Sequence, residues 1–454
     1  MQILVIGAGK VGITLAEELL SEEHDLVVID RDEEVLQRCQ DTLDVMCVHG
    51  NGANAKTLID AGVSHADIVI AATASDEVNM LSCLIGKRLG AKYTIARIRD
   101  PEYHESQTLL QHELGIDLAV NPDRAAALEI SRLLRFPFAS NIESFAKGLV
   151  EMVEFRAQAK DVVVGCRLRD LNARLPGLPR VLYAAVEREG VVTIPTGEFQ
   201  IEVGDRVFVA GDQITITSFF RYIGRDTRQV RKVMITGGGR VSYYLAKLIV
   251  PAGMRVKMIE IDAEKAAKLA QDLPQVEVLH GDGTNQELLT QEGLEHMDAF
   301  IALSSRDEEN LMTGLYAASQ GVGKVVVKNN RVNYVQVVNR LGLDSMISPR
   351  QITSASILRY VRARISSQGT KVEKLYQLLN GKAEALEFQV PAGAPWIGKP
   401  LKDLRMRKGS LVAVIVRRSK VIVPFGNDHM EAGDSIIIMT CERGLSDLSE
   451  VIQP

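Results

Sequence analysis

The chain has 454 residues, 46% of them hydrophobic and 24% charged, with a formal net charge of −5, a length that allows roughly two to four globular domains. Mild acidity gives no general attraction to nucleic acid or anionic lipid, and no apolar run approaches the roughly 18 residues needed to span a bilayer. The opening apolar run lacks a basic leader and reads as a strand rather than a signal peptide, and five scattered cysteines without a C-x-x-C pair suit free thiols in a reducing cytoplasm.

Residues 2–6 are apolar and largely β-branched, which predicts a strand buried on both faces. Gly7-Ala8-Gly9-Lys10-Val11-Gly12 follows, then helical spacing over 13–20 and a second strand at 26–29 that ends on Asp30. Strand, G-x-G-x-x-G, helix, strand and acid in that order is the dinucleotide-binding arrangement. Gly7 serves the tight turn, Gly9 lets backbone amides approach a pyrophosphate, and Gly12 allows close helix–strand contact. The helix N-terminus offers positive potential to phosphate. Asp30 accepts hydrogen bonds from a ribose diol and repels the 2′-phosphate of NADP, while Arg31 beside it softens that preference or stacks on adenine.

Further strands are expected at 45–48, 68–72, 93–98 and 118–120, alternating with helices at 55–61, 76–89, from Pro101 onward, and at 122–135. This alternation predicts a parallel sheet with right-handed crossovers. Asn51 and Gly52 follow the third strand within reach of an adenine. Thr73 and Ala74 follow the fourth, where they can line pyrophosphate or ribose, although ordinary strand-to-helix turns use the same residues. Arg97 interrupts a buried strand and requires an anionic partner, either ligand phosphate or Asp76.

The pattern then repeats. Residues 232–236 lead into Gly237-Gly238-Gly239-Arg240-Val241-Ser242, and a strand at 256–259 ends on Glu260, which favours ribose hydroxyls as Asp30 does. Gly7 to Asp30 and Gly237 to Glu260 each span 23 positions, and 12 of 30 positions are identical between 50–79 and 281–310. This is an internal duplication. Asp282, Gly283, Ser304, Ser305 and Lys328 stand where the first half has Asn51, Gly52, Thr73, Ala74 and Arg97, and Val332-Asn333-Tyr334 echoes Pro101-Glu102-Tyr103. Ser242 replaces the third glycine. Arg240 replaces Lys10, and either meets a terminal phosphate through bidentate contacts or is a solvated base. Each half is followed by short β-branched runs broken by glycine and proline, at 142–218 and 374–441, with Pro195…Gly204-Asp205 and Pro424…Gly433-Asp434 at the same spacing. The expected class is α/β, with two doubly wound parallel-sheet Rossmann domains at 1–138 and 230–365. Small α+β domains follow at 139–226 and 366–454.

Ile6-Gly7-Ala8-Gly9-x-Val11-Gly12, Ser75-Asp76-Glu77-x-Asn79-Met80, Ala96-Arg97-Ile98-Arg99 and Gly237-Gly238-Gly239 lie in two halves, each closed by a β-rich domain with a Gly-Asp turn. Over essentially the whole chain this resembles the RCK (regulator of K⁺ conductance) family, in the tandem form of bacterial Trk potassium-uptake regulators. The resemblance implies RCK N-type and C-type domains, NAD(H) and ATP/ADP as ligands, and phosphate as the partner of Arg97. It implies a cytoplasmic regulatory subunit peripheral to the inner face of the cell membrane, which gates an integral membrane Trk-type K⁺ channel or transporter subunit by conformational change. Membrane contact would come only through that partner, with no nucleic acid bound, and a homodimer or homotetramer fits closed symmetry.

Eight histidines form no metal set; His49 and His280, and His65 and His296, are paired by the duplication, which favours structural roles. No catalytic motif of the Ser-His-Asp, H-E-x-x-H or P-loop kind appears. A tandem NAD-dependent oxidoreductase would need a general acid or base beside each nicotinamide, and the small domains carry no matching His or Lys in both halves. A nucleotide-stabilised scaffold without switching is the other alternative.

Overall fold

A computed structural model describes residues 1–104, 107–225, 227–330, 343, 345–365, 372–378, 382–442, 444–445 and 447–453. The first parallel sheet contains β1 (Gln2–Ile6), β2 (Asp25–Asp30), β3 (Met46–His49), β4 (Ile68–Ala71), β5 (Tyr93–Arg97) and β6 (Leu118–Val120), in the order β3-β2-β1-β4-β5-β6. Strand order reverses between β1 and β4, where ligand crevices form. Ile6 is level with Ile29 on one side and Ala71 on the other, so the loops leaving β1, β2 and β4 begin at one height. Helix starts follow side-chain chemistry. Asp32, Asn54, Ser75 and Asn121 each cap a helix by accepting a backbone N–H. The helix Lys10–Leu20 instead starts from Gly9 with no side-chain cap, which leaves its first amides to a ligand.

A five-stranded antiparallel sheet comes next, from β7 (Asn141–Phe145), β8 (Val150–Arg156), β9 (Leu182–Arg188), β10 (Val191–Thr193) and β11 (Arg206–Gly211), ordered β10-β9-β11-β8-β7. The second parallel sheet repeats the first: β12 (Lys232–Thr236), β13 (Arg255–Glu260), β14 (Glu277–His280), β15 (Ala299–Ala302), β16 (Lys324–Lys328) and β17 (Met346–Ile347), ordered β14-β13-β12-β15-β16-β17. The last five-stranded sheet contains β18 (Val372–Leu378), β19 (Ala383–Gln389), β21 (Ser410–Arg417), β22 (Lys420–Ile422) and β23 (Ser435–Thr440). A small ribbon pairs β20 (Arg405–Met406) with β24 (Ile452–Gln453). The fold class is that expected: two doubly wound parallel sheets, each followed by an antiparallel α+β unit. The shared Gly-Asp turns now have a cause. Gly204 and Gly433 take left-handed φ of +93° and +84°. Asp205 and Asp434, each 2% exposed, then accept hydrogen bonds from Arg188 and Arg417 of a neighbouring strand. The two antiparallel sheets pack on each other through a joint core that includes Phe145, Met152, Phe208, Ala385 and Ile437.

Two helices exchange halves. Pro349–Ile365, which follows β17 in the second half, lays Ile357, Leu358 and Val361 into the core of the first sheet with Ile3, Leu15 and Val28. Pro122–Arg135, which follows β6, places Ala126, Ala127 and Ile130 in a core with Val233, Val241 and Leu245 of the second half. Each fully buried aliphatic side chain contributes about 1.5–3 kcal/mol, so the exchange ties the halves firmly. Arg362, on the first of these helices, is 2% exposed and hydrogen-bonds both Glu22 of the first half and Glu384 of β19. Apolar periodicity marks both helices in the sequence, but it cannot say which surface each one meets.

Candidate functional site

A cavity of about 660 Å³ opens at the carboxyl ends of β1, β2 and β4, within the size range of small-molecule sites. Gly7, Gly9, Lys10 and Val11 form one wall, and Asp30, Arg31, Asn51, Gly52, Thr73, Ala74 and Arg97 continue it. Val241, Lys328, Asn330, Pro349 and Arg350 of the second half complete it. Six basic side chains line it (Lys10, Arg31, Arg97, Arg99, Lys328, Arg350) against two acidic ones (Asp30, Asp123). That balance fits a polyanion.

The loop geometry shows why the glycines are required. Gly7 has φ +101°, and a Cβ there would meet the backbone of Thr73 at 2.9 Å. A Cβ on Gly12 would lie 1.8 Å from the Gly7 carbonyl oxygen, while one on Gly9 would meet nothing within 4 Å, so Gly9 keeps open space above the loop. Gly52 presses on Ile6, whose Cγ2 would be 2.1 Å from an added Cβ. Ala8 is buried, and its N–H donates to Asp30 Oδ2 at 2.6 Å, while Asp32 N donates to Oδ1 at 3.0 Å. Two of the roughly four acceptor positions of a carboxylate are thus used on Asp30, which lines the cavity.

Arg97 ends β5 rather than interrupting it. Its Nη1 donates to the Ala72 carbonyl at 3.4 Å, and its buried Nε has no hydrogen-bond partner. Burial, and then the neighbouring Arg99, pull its pKa down to about 10. Asp76, the alternative partner, turns to other groups: its Oδ2 accepts from the Arg99 and Asp100 amides at 2.8 Å each, and its Oδ1 lies 3.7 Å from Arg99 Nε. Arg97 forms no ion pair among the described residues. Asn79 fixes the same corner, accepting from Thr73 N at 2.8 Å and donating to the Arg97 carbonyl at 2.8 Å. Asn310 repeats this between Ser304 N at 2.8 Å and the Lys328 carbonyl at 3.0 Å. Lys328, expected only at the second site, reaches the Leu303 carbonyl at 3.3 Å and lines the cavity of the first.

The second loop is built alike but filled differently. Gly237 has φ +89°, and Gly238 N donates to Glu260 Oε2 at 2.6 Å. Glu260 also accepts from Asp262 N and from Lys265 Nζ, at 3.0 Å each. Burial opposes its ionisation, but the Asp262 amide, Lys265 and the Gly238 amide outweigh it and hold the pKa below the ordinary value. The first half has Val35 where the second has Lys265, so Asp30 is spared that partner. A Cβ on Gly238 would sit 2.3 Å from Leu269 Cδ1. Ser242, fully buried, donates to the Gly237 carbonyl, so the hydroxymethyl in place of the third glycine is absorbed by a hydrogen bond. Gly239 caps the helix Arg240–Ile249 without a side-chain bond, as Gly9 does its own. Arg240 Nη2 lies 3.2 Å from Asp100 of the first half. Asp282 accepts from Thr284 N at 2.9 Å, Gly283 packs on Thr236, and Ser305 is exposed. Val332-Asn333-Tyr334 lies outside the described residues.

Arg99, Asp123, Asn330 and Arg350 were not anticipated. Two of them come from the far half, and nothing in local sequence signals that. Asp123 is surrounded by Arg99, Arg240, Arg97 and Lys328, whose charges oppose the burial that raises its pKa. His49 Nε2 meets the Arg31 carbonyl at 3.0 Å and His280 Nε2 the Ile261 carbonyl at 3.2 Å, structural roles repeated in both halves. Among the described residues no group of His, Cys, Asp and Glu could hold a metal ion, and no helix is long and apolar enough to cross a membrane.

The TrkA-N domain family matches residues 3–122 and 233–349, and the TrkA-C domain family matches 152–224 and 385–453. The chain is 32% identical to the Trk system potassium uptake protein TrkA of Haemophilus influenzae, covering 100% of this chain and 99% of that one. It is likewise 32% identical to TrkA homolog 2 of Methanosarcina mazei, over 100% of each. Among solved structures, the RCK domain of GsuK superposes with a TM-score of 0.63 at 18% identity, covering 96% of this chain and 92% of that one. The GsuK channel bound to NAD superposes with a TM-score of 0.63 at 18% identity, over 97% of this chain and 76% of that one.

Proposed function

Because the chain belongs to the TrkA family of Trk potassium-uptake proteins, we propose that it is a cytoplasmic regulatory subunit that binds NAD(H) and adenine nucleotides and gates a membrane K⁺-conducting partner. The observation that carries this reading is the basic cavity shared by the two halves, six cationic side chains against two carboxylates. Relatives named for potassium uptake and a channel of the same fold bound to NAD support it. Asp30 would take a ribose diol. The amides of Gly9, Lys10 and Val11 at the uncapped helix start would take the pyrophosphate, and Arg97 a phosphate oxygen. Bound nucleotide supplies negative charge, beyond that of Asp123, between Arg97 of one half and Lys328 and Arg350 of the other. The gain differs between open and closed arrangements of the halves, and only such a difference can shift a conformational equilibrium.

The nucleotide is read as a signal, not a reactant, and the subunit as a homo-oligomer, dimer or tetramer, that meets the membrane through its partner. K⁺ flux through a reconstituted partner tests the reading. Wild type should change flux on addition of NADH or ATP, and an Asp30→Ala/Arg97→Ala variant should not. An unchanged response in the variant would remove the first loop as the sensor, and hydride transfer by the purified chain to any common metabolite would return it to the oxidoreductases.

A further inference from the structure

The acids that end β2 and β13 hold the same place in the two halves, and each braces its own glycine loop through two amides. Asp30 accepts from Ala8 N and Asp32 N, and Glu260 from Gly238 N and Asp262 N. The longer side chain makes them unlike. Glu260 folds back beneath its loop and is 5% exposed, whereas Asp30 is partly exposed and lines the cavity. A Cβ on Gly238 would lie 2.9 Å from Glu260 Oε2, so the second loop has no room for the methyl that Ala8 carries in the first. Oε2 also takes a third bond, from Lys265 Nζ at 3.0 Å. Three donors, one of them a cation, thus hold a carboxylate with roughly four acceptor positions, and burial shuts the remainder away from a ligand. Ile261 follows where the first half has Arg31; it is 66% exposed, and its side chain can accept nothing from a sugar.

We infer that ribose is read at the first glycine loop only: Glu260 is a brace of the second loop, and Lys265 is the residue that keeps it from a ribose diol. The inference deepens the proposed function and rests on both loops being nucleotide sites. The amides that face a pyrophosphate are common to the two loops, because both helices start from an uncapped glycine. A free acid at the end of the second strand is what binds the ribose hydroxyls in such a motif, and only Asp30 is free. A nucleotide at the second loop is therefore held by its phosphates and base, and a dinucleotide loses there the diol contact that holds it at the first.

Calorimetric titration of the full-length chain with ATP and with 2′-deoxy-ATP tests this. Wild type should show two classes of site, one of which weakens roughly tenfold or more without the 2′-hydroxyl, the worth of a hydrogen bond to a charged group. Asp30→Ala should leave a site that binds the two nucleotides equally. Adding Lys265→Val, which copies Val35, should give that site a preference for ATP. Glu260→Gln in the otherwise wild-type chain should preserve the preference at the first loop and create none at the second. A preference for ATP that survives Asp30→Ala, or one that Glu260→Gln removes, would overturn the inference. So would equal affinities after Lys265→Val, or an Asp30→Ala chain that unfolds in urea as wild type does yet binds neither nucleotide. Failure of the wild-type chain to bind either nucleotide would reject the nucleotide reading as a whole, a result independent of Glu260 and Lys265.

Discussion

Replacing Arg362 with methionine removes the junction of three units. The guanidinium donates to Glu22 Oε1 from Nε at 3.0 Å and Nη2 at 2.5 Å, and to Glu384 from Nη1 at 2.9 Å and Nη2 at 3.0 Å. Glu384 is fully buried, so the variant leaves a carboxylate out of water without a counter-charge. Removing one partner of a buried ion pair costs roughly 3–5 kcal/mol. Trp396, the single tryptophan, is 4% exposed in the core beside β19 and β23, and its fluorescence reports that unit alone. With a urea dependence of about 2 kcal/mol per molar for one domain, the midpoint should fall by roughly 1.5–2.5 M. Arg362→Met/Glu384→Gln should recover much of that loss, because the stranded charge is gone; the cycle isolates the coupling. A midpoint within about 0.3 M of wild type, or a double variant that loses the sum of its single effects, would refute the argument.

Two further outcomes follow from single side chains. Burial, reinforced by Glu22 and Glu17 and opposed by Arg350 and Arg362, raises the Glu18 carboxyl from 4.5 to about 7. The folded chain keeps a proton there that the unfolded chain releases, so this group's contribution falls as pH rises between those values and is level above. Glu18→Gln should therefore gain stability relative to wild type between pH 5 and pH 8, by up to roughly 3 kcal/mol; equal urea midpoint differences at both pH values would contradict it. Gly12→Val sets a branched side chain where even a Cβ lies 1.8 Å from the Gly7 carbonyl oxygen, an overpacking worth about 1–3 kcal/mol. It should abolish the stabilisation by NADH in a thermal melt, while Gly12→Ser, which copies Ser242, retains part of it; a full NADH shift in Gly12→Val would show that the loop can move aside.

The parts of this molecule legible in its sequence are those fixed by neighbours in the chain. Gly7 through Asp30 is one continuous turn-and-helix problem, and the 23-residue spacing repeated from Gly237 announces the same solution again. The Gly204-Asp205 and Gly433-Asp434 turns were visible as a pattern, but their purpose was not, because Arg188 and Arg417 lie on other strands. Arg97 reads as buried mid-strand because its flanks Ile95, Ala96 and Ile98 are apolar; the pairing of β5 with β6 ends on Arg97 opposite Val120. Least legible were contacts across the halves. Arg350 to Thr14 joins residues 336 positions apart, and Lys328 reaches the first cavity only because the sheets face each other. Ser242 and Arg240 already mark the two loops as unequal in the sequence, and only the packed structure shows Lys265 engaging Glu260 while Val35 leaves Asp30 without that partner.

The exchanged helices give the two halves the relation of subunits in a two-fold dimer, yet one chain encodes both. A homodimer must place the same residue on both sides of its axis, so a change that improves one site is imposed on the other. Covalent fusion lifts that symmetry constraint. Arg350 can stand where the other half has Asp123, and Lys265 where it has Val35, without compromise, so two copies of one inherited loop are free to diverge within a single chain.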